Sequence, residues 1–401
     1  MWWSSTLLVI AAARPSAWDP LRTLLSRWPY TDNFMVQVGN ASGITFQYTR
    51  GNMTPDTHVL TASTSKWPSA MALAGVVADG SIKSLDSKVN EYVPWWTKNT
   101  SDPRAHVTLR HLLSFTSGFG NGMPGNESYK GLACMGWQGN ITYEACAKQI
   151  HDKVETWCWP GYCYSYNSNH LKLAGVMAMH ATGLSIQGVL DKYMRVGLRM
   201  NSTTCSYTPK GASHVELQPN PDLAVCLNTT GRDYGTFLDG LLQHKILSPA
   251  VIRASEQDYT PGDMMGSGYT LYGHYGFGHF LECFDSYQGF TPECKQAKVH
   301  ADPGAFGYYP LLDRRYGYWA QVTAFEHGAS YPRSGIPEYL RVLIKPYIDL
   351  IVQGKDLYEN HESLKALSMD ALDYGAYTGL QPAPLTSHAP PCVTCFTSAD
   401  R

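Results

Sequence analysis

The sequence predicts an α/β protein of the α+β type. An antiparallel sheet formed by N- and C-terminal segments is flanked by helices, and a mainly helical region is inserted at roughly 68–270. Two observations predict this. Strand patterns occur near both ends of the chain, and the stretch between them is helical and loop-rich. An order of strands, helices, strands and helix makes terminal segments pair across an insertion.

The elements follow in chain order. Phe34–Val38 and Ile44–Tyr48 alternate around Gly39-Asn-Ala-Ser-Gly43, which reads as a β-hairpin. From Ser65 to Asp79, Trp67, Ala70, Met71, Ala74 and Val77 recur at helical spacing. Pro68 sits where a first helical turn tolerates it. Asp86 reads as the N-cap of a further helix starting at Leu85. Residues 100–270 are loop-rich, with a helix near Leu171–His180. Strand signals return at Tyr275–Cys283, Gly304–Asp313 and Tyr316–Glu326. A long apolar helix, Glu338–Val352, is interrupted by Pro346. Residues 355–401 form a polar, Pro-rich tail.

Composition bounds the function. The 401 residues hold 31 basic and 33 acidic side chains, so no basic field for nucleic acid is present. Charged residues are 16% and hydrophobic ones 44%, which fits a folded globule with a sizeable core.

Residues 1–13 read as a signal peptide, with Ala11-Ala12-Ala13 as a small-residue cleavage site. The rival reading is a buried first helix. The run is too short for a bilayer, which needs about 20 residues, and no other segment could span one. Seven Asn-x-Ser/Thr sequons, at Asn40, Asn52, Asn99, Asn126, Asn140, Asn201 and Asn228, favour a secreted glycoprotein. Ten cysteines fit an oxidising compartment. Proximity suggests Cys134–Cys146, Cys158–Cys163, Cys205–Cys226 and Cys283–Cys294. Cys392 and Cys395 form a lone CxxC with no second half nearby, so no metal site is expected.

Several motif classes are unsupported. Gly120-Asn-Gly122-Met-Pro-Gly125 follows no strand and opens no helix, so it is a loop and not a dinucleotide site. G-x-S-x-G and H-E-x-x-H are absent. No cofactor is expected.

Ser63-Thr-Ser-Lys66 is the only S-x-x-K in the chain. It falls between the hairpin and an apolar helix, so Ser63 sits where a helix N-terminus favours developing negative charge. Lys66 lies three residues on, on the same face. A buried lysine with a depressed pKa is a competent base, and serine needs one to become a nucleophile.

The run Leu60–Lys66, then Gly80–Asp86, then Tyr92-Val-Pro94, resembles the serine β-lactamase and penicillin-binding-protein family, closest to class C β-lactamases and their esterase relatives. Val107–Gly118 is similar to that family's T-x-R-x-L-L-x-x-T-S-G segment and follows about 45 residues later. The resemblance covers roughly residues 33–350 and places a serine hydrolase domain at 14–354. It implies that Ser63 is the nucleophile and that Lys66 and Tyr166 move its proton. Tyr164 is a rival for the tyrosine role. Ser168 falls where the family has a substrate-binding Asn, with Asn167 and Asn169 as alternatives. His300 and Gly304 fill the place of the third motif, His300 as the cationic or hydrogen-bonding residue. Asp302 or an edge-strand N–H could stand there instead. The oxyanion hole would pair the Ser63 N–H with an N–H of this strand. His327, beyond the strand, reads as a surface residue.

The function expected is hydrolysis of a small ester or peptide-like amide through an acyl-enzyme. A non-catalytic secreted binding glycoprotein of the same fold is the alternative, and transfer to an amine or alcohol acceptor is a third reading.

Overall fold

The computed structural model describes residues 16–120, 134, 141–207, 216–261, 274–282, 298–324, 336–355 and 357. Residues 1–13, read above as a signal peptide, and Asn126, Asn140, Cys283, Cys294, His327, Cys392 and Cys395 lie outside them.

Helix α1 (Asp19–Ser26) leads into the hairpin β1 (Phe34–Asn40) and β2 (Gly43–Arg50). A short strand β3 (Val59–Leu60) and a 3-10 turn (Ala62–Ser65) precede α2 (Lys66–Ala78). The inserted region carries α3 (Leu109–Leu113), α4 (Tyr143–Lys153), α5 (Asn169–Thr182) and α6 (Ile186–Val189), which runs on into a π-helix (Leu190–Val196). Strands β4 (Thr204–Tyr207), β5 (Glu216–Leu217) and β6 (Leu227–Thr229) follow, then α7 (Gly231–Leu242) and α8 (Pro249–Ser255). The chain returns through β7 (His274–Tyr275), β8 (Phe280–Glu282), β9 (Val299–Ala301), β10 (Tyr308–Asp313) and β11 (Tyr318–Ala324) to α9 (Ile336–Val352).

Among the described residues the main sheet has seven strands in the order β2-β1-β11-β10-β9-β8-β7. The N-terminal hairpin pairs antiparallel with β11, from Phe34 opposite Ala324 to Asn40 opposite Tyr318. Terminal segments therefore close the sheet, as expected. Alternation in β1 assigns its two faces. Phe34, Val36 and Val38 enter one core with α1 and α9, while Met35 enters a second core with α2, α5 and α7.

Three expectations are corrected. Asp86 caps no helix: its carboxylate takes Arg110 Nε and Nη2 at 2.7 and 2.8 Å. The 275–283 strand is a hairpin, because Gly278 turns back at φ +68° between β7 and β8. Pro346 lies inside α9 without ending it. Burial of Leu343, Ile344 and Ile348 on the sheet outweighs the lost N–H donor.

Among the described residues, disulfides join Cys134–Cys146, Cys158–Cys163 and Cys205–Cys226. They are three of the four pairs that proximity suggested, the fourth lying outside the described residues, and they are consistent with an extracellular or secretory compartment. Among the described residues no single helix is long and apolar enough to cross a membrane.

Candidate active site

The turn carrying Ser63 is fastened from both sides. Towards β6, the Thr61 N–H donates to Leu227 O at 3.0 Å, and the Leu227 N–H donates to Ser65 Oγ at 3.0 Å. Towards β10, the Thr64 hydroxyl donates to Asp302 O at 2.7 Å and lies 3.0 Å from Tyr308 O. Ala62 is held at φ +48°, a conformation L-residues rarely adopt. From Thr61 to Ala70 every residue is buried except Ser63, which is half-buried. The sequence thus forms a packed turn that exposes one hydroxyl.

Lys66 begins α2 and is itself buried, 3% exposed. Its Nζ donates to Ser63 Oγ at 2.9 Å and to Ala224 O at 3.1 Å. The same Nζ lies 4.6 Å from the centroid of the Tyr166 ring. Tyr166 is half-buried among Phe280, Phe115 and Tyr275, at centroid distances of 5.6, 6.0 and 6.0 Å. Ser63, Lys66 and Tyr166 therefore meet. Lys66 touches the ring face of Tyr166. Tyr164 is buried and turned inward, 5.1 Å from the Tyr275 ring.

The Val107–Gly118 segment holds this arrangement from behind. Thr108 caps α3, and Leu109, Leu112 and Leu113 enter the core. Ser117 Oγ lies 2.8 Å from His170 Nδ1, which ties the segment to α5. Phe115, at φ +61°, stacks on His170 at 4.8 Å.

The second motif is enclosed. Ser168 is 2% exposed at the N-cap of α5, so it offers a ligand almost no surface. Asn167 Nδ2 donates to Phe119 O at 3.0 Å and its Oδ1 accepts from the Asn169 N–H at 2.9 Å, which closes the turn. Asn169 is fully buried.

The expectation of a cation at His300 is corrected. His300 is fully buried on β9, with Nδ1 3.1 Å from His279 Nε2 and Nε2 3.8 Å from Glu256 Oε2. Burial, with Arg314 and Lys298 adding to it, pushes its pKa down to about 3. His300 is therefore neutral and points into the protein.

Asp302 and Gly304 lie against the nucleophile turn. A side chain at Gly304 would collide with Thr61 O and Thr64 Oγ1, so only glycine permits this approach. Asp302 Oδ2 accepts the Trp67 N–H at 2.9 Å. Burial raises the Asp302 carboxyl well above the usual range, against the pull of Lys66 and the Trp67 N–H. The sequence offers Asp302 only as a substitute in the third motif. The Asp-x-Gly spacing, two residues from Gly304, was the available signal. No group of metal-ligating side chains occurs among the described residues.

The sequence matches the Beta-lactamase family over residues 37–309, and the chain belongs to that family. Its fold is shared by a beta-lactamase-like protein from Bacteroides dorei, at 23% identity and TM-score 0.61, covering 84% of this chain and 99% of that one. EstCE1, a hydrolase with promiscuous acyltransferase activity, is 15% identical with TM-score 0.62 over 81% and 96% of the two chains. A LovD9 mutant of simvastatin synthase from Aspergillus terreus is 15% identical with TM-score 0.60 over 84% and 98%.

Proposed function

We propose that this protein is a secreted serine hydrolase that acts on a small ester or peptide-like amide through an acyl-enzyme on Ser63. The observation that carries the reading is the 2.9 Å contact between Lys66 Nζ and the accessible Ser63 Oγ. Lys66 as the free amine takes the Ser63 proton while Oγ attacks the carbonyl carbon. The developing oxyanion is held by the Ser63 N–H and an N–H near Gly304. Lys66 and Tyr166 then return a proton to the leaving group, and water releases the acyl group by the reverse course. No cofactor takes part.

The substrate preference follows from the third motif. His300 is neutral and buried, so that position supplies no cation for a substrate carboxylate. This favours neutral esters and amides over β-lactam antibiotics. Nitrocefin turnover matching that of its best ester overturns the preference.

Secretion is supported by the disulfides and by three sequons that are exposed, Asn52, Asn99 and Asn201. Residues 1–13 would be removed on export.

A fluorophosphonate probe tests the activity. The expected adduct lies on Ser63, is absent in Ser63→Ala, and is strongly reduced in Lys66→Met. No label on the wild-type chain favours the non-catalytic binding reading. Product analysis with added alcohols or amines separates hydrolysis from acyl transfer.

A further inference from the structure

Residues 220–227 form a strap beside the nucleophile turn, and its carbonyls are taken up by the elements of the site. Leu227 O accepts the Thr61 N–H at 3.0 Å, Leu223 O accepts Ser69 Oγ–H at 2.8 Å, and Ala224 O accepts an N–H of Lys66 Nζ at 3.1 Å. At the start of the strap stands a second lysine, Lys172, which is 1% exposed in the middle of α5. Its Nζ donates to Pro221 O and to Asn220 Oδ1, both at 2.7 Å, and lies 4.1 Å from the centroid of the Tyr143 ring.

The strap is stiff between the two lysines. Asp222 Oδ1 accepts the Ala224 N–H at 3.0 Å, and Asp222 O accepts the Val225 and Cys226 N–H groups at 3.0 and 2.9 Å. The Cys205–Cys226 disulfide ties the far end. A movement at Pro221 is therefore passed on to Ala224. Burying an amine inside an apolar helix is costly unless its donors are used, and both acceptors of Lys172 lie on the strap. Helix α5 also follows directly on Tyr166, so Lys172 braces the tyrosine side of the site against the segment that holds Lys66.

We propose that Lys172 is a positioning residue: by holding Asn220 and Pro221 it sets the place of Ala224 O, and through it the orientation of the Lys66 amine towards Ser63. The inference rests on the acyl-enzyme reading and adds a residue that touches no reacting atom. As a free amine, Lys66 has two N–H groups and one lone pair. With one N–H held by Ala224 O, rotation about the Cε–Nζ bond is restricted, and the lone pair is kept on Ser63 Oγ at 2.9 Å. Without Lys172, the buried Pro221 carbonyl loses its donor and turns towards water, which draws Ala224 O away from Lys66.

Burial lowers Lys172 to about 7, so at pH 9 it is an amine that still has an N–H for each acceptor. Lys172→Met at that pH removes donors and no charge. The test is fluorophosphonate labelling at pH 9, where the final stoichiometry counts folded sites and the rate constant per site reads the position of the base. Lys172→Met is expected to label at least about tenfold more slowly per site. With p-nitrophenyl acetate, kcat per labelled site should fall in proportion while KM stays within about twofold. Lys345→Met is the control, because it removes a buried lysine from α9 in the other core, where it pairs with Asp313 and Asp349. It is expected to keep the wild-type rate per site. Equal rates for wild type and Lys172→Met overturn the inference, as does an equal loss in Lys345→Met, and both leave the acyl-enzyme reading intact. Should Lys172→Met not fold, Asn220→Ala decides, since it keeps the lysine and removes one acceptor. A loss of about threefold or more per site is expected, and a wild-type rate overturns the inference. Absence of wild-type label on Ser63 removes the acyl-enzyme reading and this inference together.

Discussion

At the residue scale, the site is built by close approach. Ala62 is held at φ +48°, Thr64 reaches across to Asp302 O, and Gly304 lies against Thr61 O. These contacts leave no room for a methyl group at 304. Gly304→Ala must push the β9–β10 connection off the nucleophile turn, at a cost of about 1–3 kcal/mol. Ser63 labelling is expected to fall at least tenfold, with a lower thermal midpoint. Unchanged labelling and an unchanged midpoint contradict this geometry. Ser63 and Lys66 were legible in the sequence because their pairing is local, three residues along one turn. His300 was misread because its role depends on which way β9 faces. That orientation is set by pairing with Leu312 and Leu281, long-range contacts that motif spacing does not encode. Tyr166 was placed by the helix that follows it, but its ring-first contact with Lys66 depends on the Phe280 and Tyr275 packing around it.

At the element scale, helix α9 is fixed to the sheet by charge as well as by apolar area. Lys345 Nζ donates to Asp313 Oδ2 on β10 at 2.8 Å and to Asp349 one turn on at 2.8 Å. Lys345 is 3% exposed and Asp313 is fully enclosed at its side chain. Removing one member of a buried pair leaves an uncompensated charge, which costs about 3–5 kcal/mol. Lys345→Met should therefore lower the urea midpoint sharply, while the folded fraction still labels at Ser63. A midpoint within error of the wild type contradicts the pairing. Strands and helices with strong periodicity were legible: β1, β2, α2, α5 and α9 all fall close to their expected spans. The misreadings were at turns. Asp86 was claimed by Arg110, 24 residues away, and Gly278 took a left-handed turn inside an apolar run. Helix α1 was not foreseen. Its buried Leu21 and Leu25 are too few to form a pattern without the sheet they cover.

At the scale of the whole molecule, the buried titratable groups set how stability depends on pH. His170, His279 and His300 are fully buried, and desolvation pushes each down to about 3. Lys172 is buried against Tyr143, Asn220 and Pro221, and burial lowers it to about 7. In the unfolded chain these groups regain ordinary values, about 6.5 for His and 10.4 for Lys. The unfolded chain therefore binds more protons than the native one between pH 3 and 6.5 through the histidines, and between pH 7 and 10 through Lys172. More protons on the unfolded side means that stability rises with pH. Each histidine contributes a slope of up to about 1.4 kcal/mol per pH unit within its window. Asp302 and Asp349 act in the opposite sense, because burial raises their carboxyls and the native state takes up their protons first. Three buried histidines outweigh these two carboxyls below pH 6.5, and Lys172 carries the same trend from pH 7 to 9, below the range in which Lys192, whose proton affinity is raised, responds. The urea midpoint is expected to be lower at pH 5 than at pH 7.5, and higher again at pH 9. A midpoint that peaks at pH 5 means that the histidines are not held neutral in the native protein. Replacing His279 by glutamine should make the fall between pH 7.5 and 5 shallower, because one proton fewer is then taken up on unfolding.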